Sequence, residues 1–175
     1  MLDVAVAYNR FKFLGDEYLT WLWFIIENDQ NLIQKWDSDF VSLEIGNRIV
    51  LENRTGKGVE RITIKGDIAG LDEGMLALSN GALVSEINMV YKTGENESTF
   101  TIKGESLNIS NLKIPNTAAP ETREDVEGFV IEKAYHYEKV ITLLNSLYNH
   151  FIKLRIADNW TQKVVPSISK WIKSL

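Results

Sequence analysis

The sequence contains no cysteine, which excludes a disulfide framework, a thiolate zinc site and a cysteine nucleophile together. A reducing compartment is the natural setting for such a composition. Histidine is scarce too, with only His136 and His150 present. On one helix these two fall within about 40° of the same face but ~21 Å apart along the axis, too far to share an ion, so surface histidines are the simpler expectation. No long hydrophobic run occurs: Trp21 to Ile26 is far below the ~20 residues of a spanning helix. Met1 leads into Leu2-Asp3-Val4 without the basic region and apolar core of a secretory signal. These absences predict a soluble, cytoplasmic protein with no membrane partner. No serine sits in a Gly-x-Ser-x-Gly pattern, and Gly56-Lys57-Gly58 lacks the spacing of a phosphate loop. No repeat or low-complexity tract is present. Nothing in the residues identifies a cofactor, a resident metal or a small-molecule substrate.

What is there is organised around Phe13 to Glu27. Between Tyr18 and Ile26 only Thr20 is not large and apolar, so a helix here has no solvated side of ordinary width. Tyr18, Leu19, Trp21, Leu22, Trp23 and Ile26 are the expected structural core, within a helix from about Asp16 to Asn28 capped by Gly15-Asp16. Glu17 then falls in the first turn, where the helix dipole favours a negative charge, and Glu27 at a solvated end. Residues 2 to 13 fit an edge strand or extended arm.

From Asp39 to Gly66 apolar residues alternate: Val41, Leu43 and Ile45, then Ile49 and Leu51, then Ile62 and Ile64. Turn signals at Gly46-Asn47 and Arg54 to Gly58 predict a three-stranded antiparallel meander. A short helix from Glu73 to Ser79, capped by Asp72, should stop at Asn80-Gly81. Strands follow over Leu83 to Tyr91 and Thr99 to Lys103, with an irregular one through Leu107, Ile109, Leu112 and Ile114.

Pro115 to Pro120 is a connector, and Thr122 with Asp125 resembles a capping box for a helix running to about Ile156. Its apolar stripe is Tyr137, Val140, Ile141, Leu144, Leu147, Tyr148, Phe151 and Leu154. A last helix from Asn159 carries Trp160, Val164, Ile168, Trp171 and Ile172 on one face, with Pro166 implying a kink or restart. The expectation is one α+β domain over residues 1–175. A helix-plus-sheet part with five to six mainly antiparallel strands (1–114) precedes a C-terminal pair, one long helix and one short kinked helix (121–175).

Charge is unevenly spread. Acidic residues dominate Glu121 to Glu138, whereas after His150 the cations Lys153, Arg155, Lys163, Lys170 and Lys173 face only Asp158. On a chain of net charge −5 this basic end is the candidate phosphate-tracking surface, with a solvated helix face as the plainer alternative. Glu52, Glu60, Asp67 and Glu86 on or beside strands raise a metal-dependent nuclease, although no spacing forces them to converge. Tyr137, Ile141, Leu144, Tyr148 and Phe151 form a candidate face for a partner helix or a second copy.

The segment Arg10-Phe11-Lys12-Phe13-Leu14-Gly15-Asp16-Glu17-Tyr18-Leu19-Thr20-Trp21-Leu22-Trp23-Phe24, with Glu27 after it, resembles the Leu-Gly-x-Glu-aromatic-Leu-Thr-Trp-Leu-Trp segment of RdgC-type recombination-associated proteins, especially divergent bacterial and phage-borne members. Looser matches are the Leu112-Lys113-Ile114-Pro115 exit and the long helix leading to Leu154-Arg155 and Trp160. The resemblance implies a non-enzymatic, sequence-nonspecific DNA-binding protein that limits recombinase access to DNA, as a ring-like dimer. The matching motif carries no catalytic residue.

Overall fold

The computed structural model describes residues 13–55, 58–66, 71–117, 119–122 and 125–174. The arm expected before residue 13, and Asp67, lie outside them. The chain is α+β, with a five-stranded antiparallel sheet and helices on one of its faces. No helix among the described residues is long and apolar enough to cross a membrane.

Helix α1 (Phe13–Asn28) is the inner layer. Its apolar residues point all round the axis and are enclosed all round: Trp21 and Trp23 are each 1 % exposed, and Tyr18, Leu19, Leu22 and Ile26 are buried. The helix starts before the expected cap, so Gly15 and Asp16 are internal. Contact explains the glycine, because a Cβ on Gly15 would lie 1.8 Å from the carbonyl oxygen of Gly104. Thr20 is the polar exception for a reason: its hydroxyl donates to the Asp16 carbonyl (2.8 Å) and accepts from the Val84 amide (2.9 Å). A buried strand amide is thereby satisfied by the helix. The short helix α2 (Gln30–Gln34) follows, and Gln30 is hydrogen-bonded to both the amide and the carbonyl of Leu43 (3.1 and 2.8 Å).

The strands are β1 (Phe40–Thr55), β2 (Gly58–Lys65), β3 (Leu83–Thr93), β4 (Asn96–Lys103) and β5 (Asn108–Lys113), in the order β2-β1-β3-β4-β5. The expected turn at Gly46-Asn47 is instead a bulge within one long strand. β1 takes four steps from Ile45 to Ile49 where β3 takes two, from Met89 to Ile87. Asn88 holds the extra residues, its Oδ1 accepting from the Asn47 amide at 3.2 Å. Gly46 has no room for a side chain there, since a Cβ would sit 2.0 Å from that oxygen. The half of β1 before the bulge has no β2 partner, and the Gln30 side chain blunts the open edge.

Helix α3 (Leu71–Ser79) ends at Gly81, whose φ of +88° suits glycine. Helix α4 (Asp125–Arg155) opens on a reciprocal cap: the Thr122 amide donates to Asp125 Oδ2 (2.9 Å), and the Asp125 amide to Thr122 Oγ1 (3.3 Å). Its core face differs from the expected stripe. Val140, Leu144, Leu147 and Phe151 are buried, joined by Leu143 and by His136 at 7 % exposure, so His136 is not a surface residue. Tyr137 and Ile141 stay 42 % and 46 % exposed. After Arg155 the chain forms a π-helical turn (Trp160–Val164) that runs into α5 (Val165–Ile172). Pro166 stands in the first turn of α5, where its missing N–H leaves no helix bond unmade. Trp171 of α5 packs against Trp23 and Phe24, ring centroids 5.6 Å apart in both cases.

One polar clamp fastens α4 to the start of the sheet. Lys139 Nζ reaches Asp37 Oδ1 (3.3 Å) and Asp39 Oδ2 (2.8 Å), and the Tyr91 hydroxyl donates to Asp37. Burial pushes the Asp37 carboxyl up, but the hydrogen bonds from Tyr91, the Asp39 amide and Lys139 outweigh it and leave its pKa below the usual value. A carboxylate depressed in the folded state adds stability above its unfolded pKa and loses it as pH falls through the folded one. Asp37→Asn should therefore cost stability at neutral pH and flatten the acid limb of a denaturant-midpoint profile. Gly15→Ala should lower stability by about 1–3 kcal/mol or prevent folding, because neither backbone at the α1–β4 contact can yield cheaply; urea unfolding reads this directly.

Candidate nucleic-acid interface

The described cations fall into two sets. Arginines are used internally. Arg54 pairs with Asp16 (3.1 Å) and Glu52 (3.3 Å), tying α1 to the end of β1. Arg155, a sequence-predicted phosphate contact, is engaged instead with Glu17: its Nε donates to Glu17 Oε2 at 2.6 Å, and its guanidinium lies 5.4 Å from the Trp160 ring centre. Glu17 is thus a half-buried ion-pair partner and not a solvated first-turn charge. The planar guanidinium suits both tasks, bonding along its edge and stacking on its face.

Lys139 and Lys92 are ion-paired as well, the latter with Glu44 at 2.8 Å, and the lysines of the C-terminal end form the second set. Lys153, Lys163, Lys170 and Lys173 are exposed, and none makes an ion pair with another described residue. Lys153 stands in the last turn of α4, Lys163 in the π-helical turn, Lys170 in α5 and Lys173 just after it. Sequence reasoning missed Lys35, which caps α2 and is also exposed without an ion pair. The available signal was Trp36 beside it, an aromatic that had to pack somewhere. It packs on α4, its ring 5.3 Å from that of His150, and Trp21 meets the same imidazole at 6.1 Å. Burial, then the nearby Lys35 and Lys153 charges, hold the His150 pKa below the ordinary histidine value. Lys35 and Lys153 thus both bear electrostatically on one half-buried imidazole.

The sheet face away from the helices is polar. Arg48, Val50, Glu52, Arg61, Glu86 and Asn88 point there, alternating with the core residues. Glu86 is only 8 % exposed, so it is not a solvent-facing strand carboxylate. Arg48 contacts it at 3.3 Å, and Arg61 reaches both Glu86 and Glu52 at 3.8 and 3.9 Å. Glu60 alternates with Arg61 and so points the other way. Arginines therefore stand between the two carboxylates that share a face, and no group of three or more acidic or histidine side chains among the described residues is placed to hold a metal ion. A cleft of about 620 Å³ on this face is lined by Arg48, Glu86, Asn88, Thr101, Asn111 and Lys113, with no aromatic platform for base stacking among the described residues.

The candidate partner-helix face is divided. Leu144 and Phe151 are buried in the chain's own core, and the Tyr148 ring packs edge-on against Tyr18 at 5.2 Å. Exposed apolar side chains concentrate in the first half of α4: Val126, Val130, Ile131, Tyr135, Tyr137 and Ile141. The chain matches no protein-family model and no curated protein.

Proposed function

We propose that this chain is a sequence-nonspecific, non-enzymatic DNA-binding accessory of recombination or replication, of the kind its α1 motif resembles in RdgC-type proteins. One observation carries the reading: Arg155 is consumed by an ion pair with Glu17, whereas Lys153, Lys163, Lys170 and Lys173 are exposed without a carboxylate partner among the described residues. Unpaired surface ammonium groups are suited to displacing counterions from a phosphate backbone, a contact that carries no sequence information. Among the described residues the cleft on the sheet face has no aromatic lining, which favours backbone contact over base stacking.

Duplex DNA should bind at low salt and be released as salt rises, with a log–log slope of about −0.9 per neutralised phosphate. Replacing Lys153, Lys163 and Lys170 together by alanine should shallow that slope by about 2 to 3 and weaken binding to any sequence alike. No binding to duplex or single-stranded DNA at low salt would eliminate the reading.

A second reading, a protein-interaction module, is favoured by the apolar side chains on the first half of α4. It is compatible with a dimeric DNA-binding protein. Light scattering should then show association that Val130→Glu with Ile141→Glu abolishes without loss of helix content. A strict monomer at high concentration disposes of self-association through this face.

A further inference from the structure

We propose that Lys35, His150 and Lys153 form one phosphate-binding clamp on the helix side of the molecule, built around the half-buried imidazole beside Trp36. The clamp rests on the DNA reading above and says which groups grip a phosphodiester. Three elements bring it together. Lys153 lies three residues after His150, on the neighbouring ridge of the same helix. Lys35 precedes Trp36, whose ring meets that of His150 edge-on at 5.3 Å, and the Trp21 ring of α1 lies 6.1 Å from the same imidazole. The imidazole thus packs against two indoles.

Among the described residues the charged groups that act on His150, Lys35 across the contact and Lys153 on its own helix, are both positive. The imidazole is accordingly neutral at physiological pH. A phosphate seated between the lysines reverses the local field and favours the imidazolium, so docking takes up a proton. By linkage, affinity rises as pH falls, approaching tenfold per pH unit for one linked proton in the range between the free and bound pKa values. The assignment is clean, because the only other histidine, His136, is buried in the core.

The test is an NMR pH titration of both histidines in the full-length chain, alone, with a short DNA duplex, and with inorganic phosphate. Duplex should raise the His150 pKa by about one unit or more and leave His136 unmoved. Lys35→Ala with Lys153→Ala should remove that rise. In parallel, His150→Gln should bind duplex like the parent at about pH 8 and lose the gain on acidification. A rise with inorganic phosphate alone supports the clamp while shifting its ligand to free phosphate. Duplex binding with no movement of His150, or a rise that survives loss of both lysines, overturns the clamp and leaves the DNA reading standing. No duplex binding and no response to either probe overturns both.

Discussion

A helix with apolar side chains on all sides cannot rest against a single partner, and this requirement shapes the rest of the chain. The sheet covers one side of α1 through Leu43, Leu51, Ile87, Met89 and Phe100. The remaining sides are closed by Phe151 and Tyr148 from α4, by Trp171 from α5 and by the Trp160 turn. Each large side chain so enclosed contributes about 1.5–3 kcal/mol before entropy is counted, so the enclosure is the dominant favourable term. The Thr20 hydroxyl answers the buried Val84 amide, whereas the Tyr18 hydroxyl and the Trp23 indole nitrogen are buried without a hydrogen-bond partner among the described residues. The Gly15–Gly104 contact sets how near α1 approaches β4.

Much of this was legible in the sequence, and the failures have a common cause. Period-two alternation marked β3 and β4 correctly, including the inward Phe100 and Ile102, because those strands run without interruption. Gly46-Asn47 carries the residues of a turn yet forms a bulge, because Asn88 of the neighbouring strand supplies the hydrogen bond that a turn would have made locally. The buried arc of α4 sits nearer His136 and Leu143 than the apolar count suggests, since neighbouring elements and not hydrophobicity alone decide which arc is covered. Charge pairing was invisible for the same reason: Glu17 and Arg155 are distant in sequence and meet only in the folded chain. Lys35 could not be grouped with Lys153 until Trp36 was seen to touch His150. Local periodicity is written in the sequence, whereas side-chain partners across elements are not.

The division of labour between the cations follows from their chemistry. Guanidinium groups, with planar forks, hold Asp16, Glu17, Glu52 and Glu86 in fixed geometries. The ammonium groups of Lys153, Lys163, Lys170 and Lys173 remain at the periphery, where a mobile point charge tolerates variable phosphate positions better than a rigid fork does. An acidic chain can in this way present a basic end without excess positive charge overall.

Helix α4 is anchored unequally. From His136 onward its inner face is buried at regular intervals, but none of its residues before His136 is buried, a stretch of roughly 15 Å held by its N-terminal cap and its own backbone ladder. Opening that stretch costs little more than local hydrogen bonds, while opening the remainder exposes the core. A single continuous helix therefore has two thermodynamic characters, a lightly held lever and a firmly rooted shaft. Any molecule that grips the lever would be felt first at the His136 turn, where one regime gives way to the other.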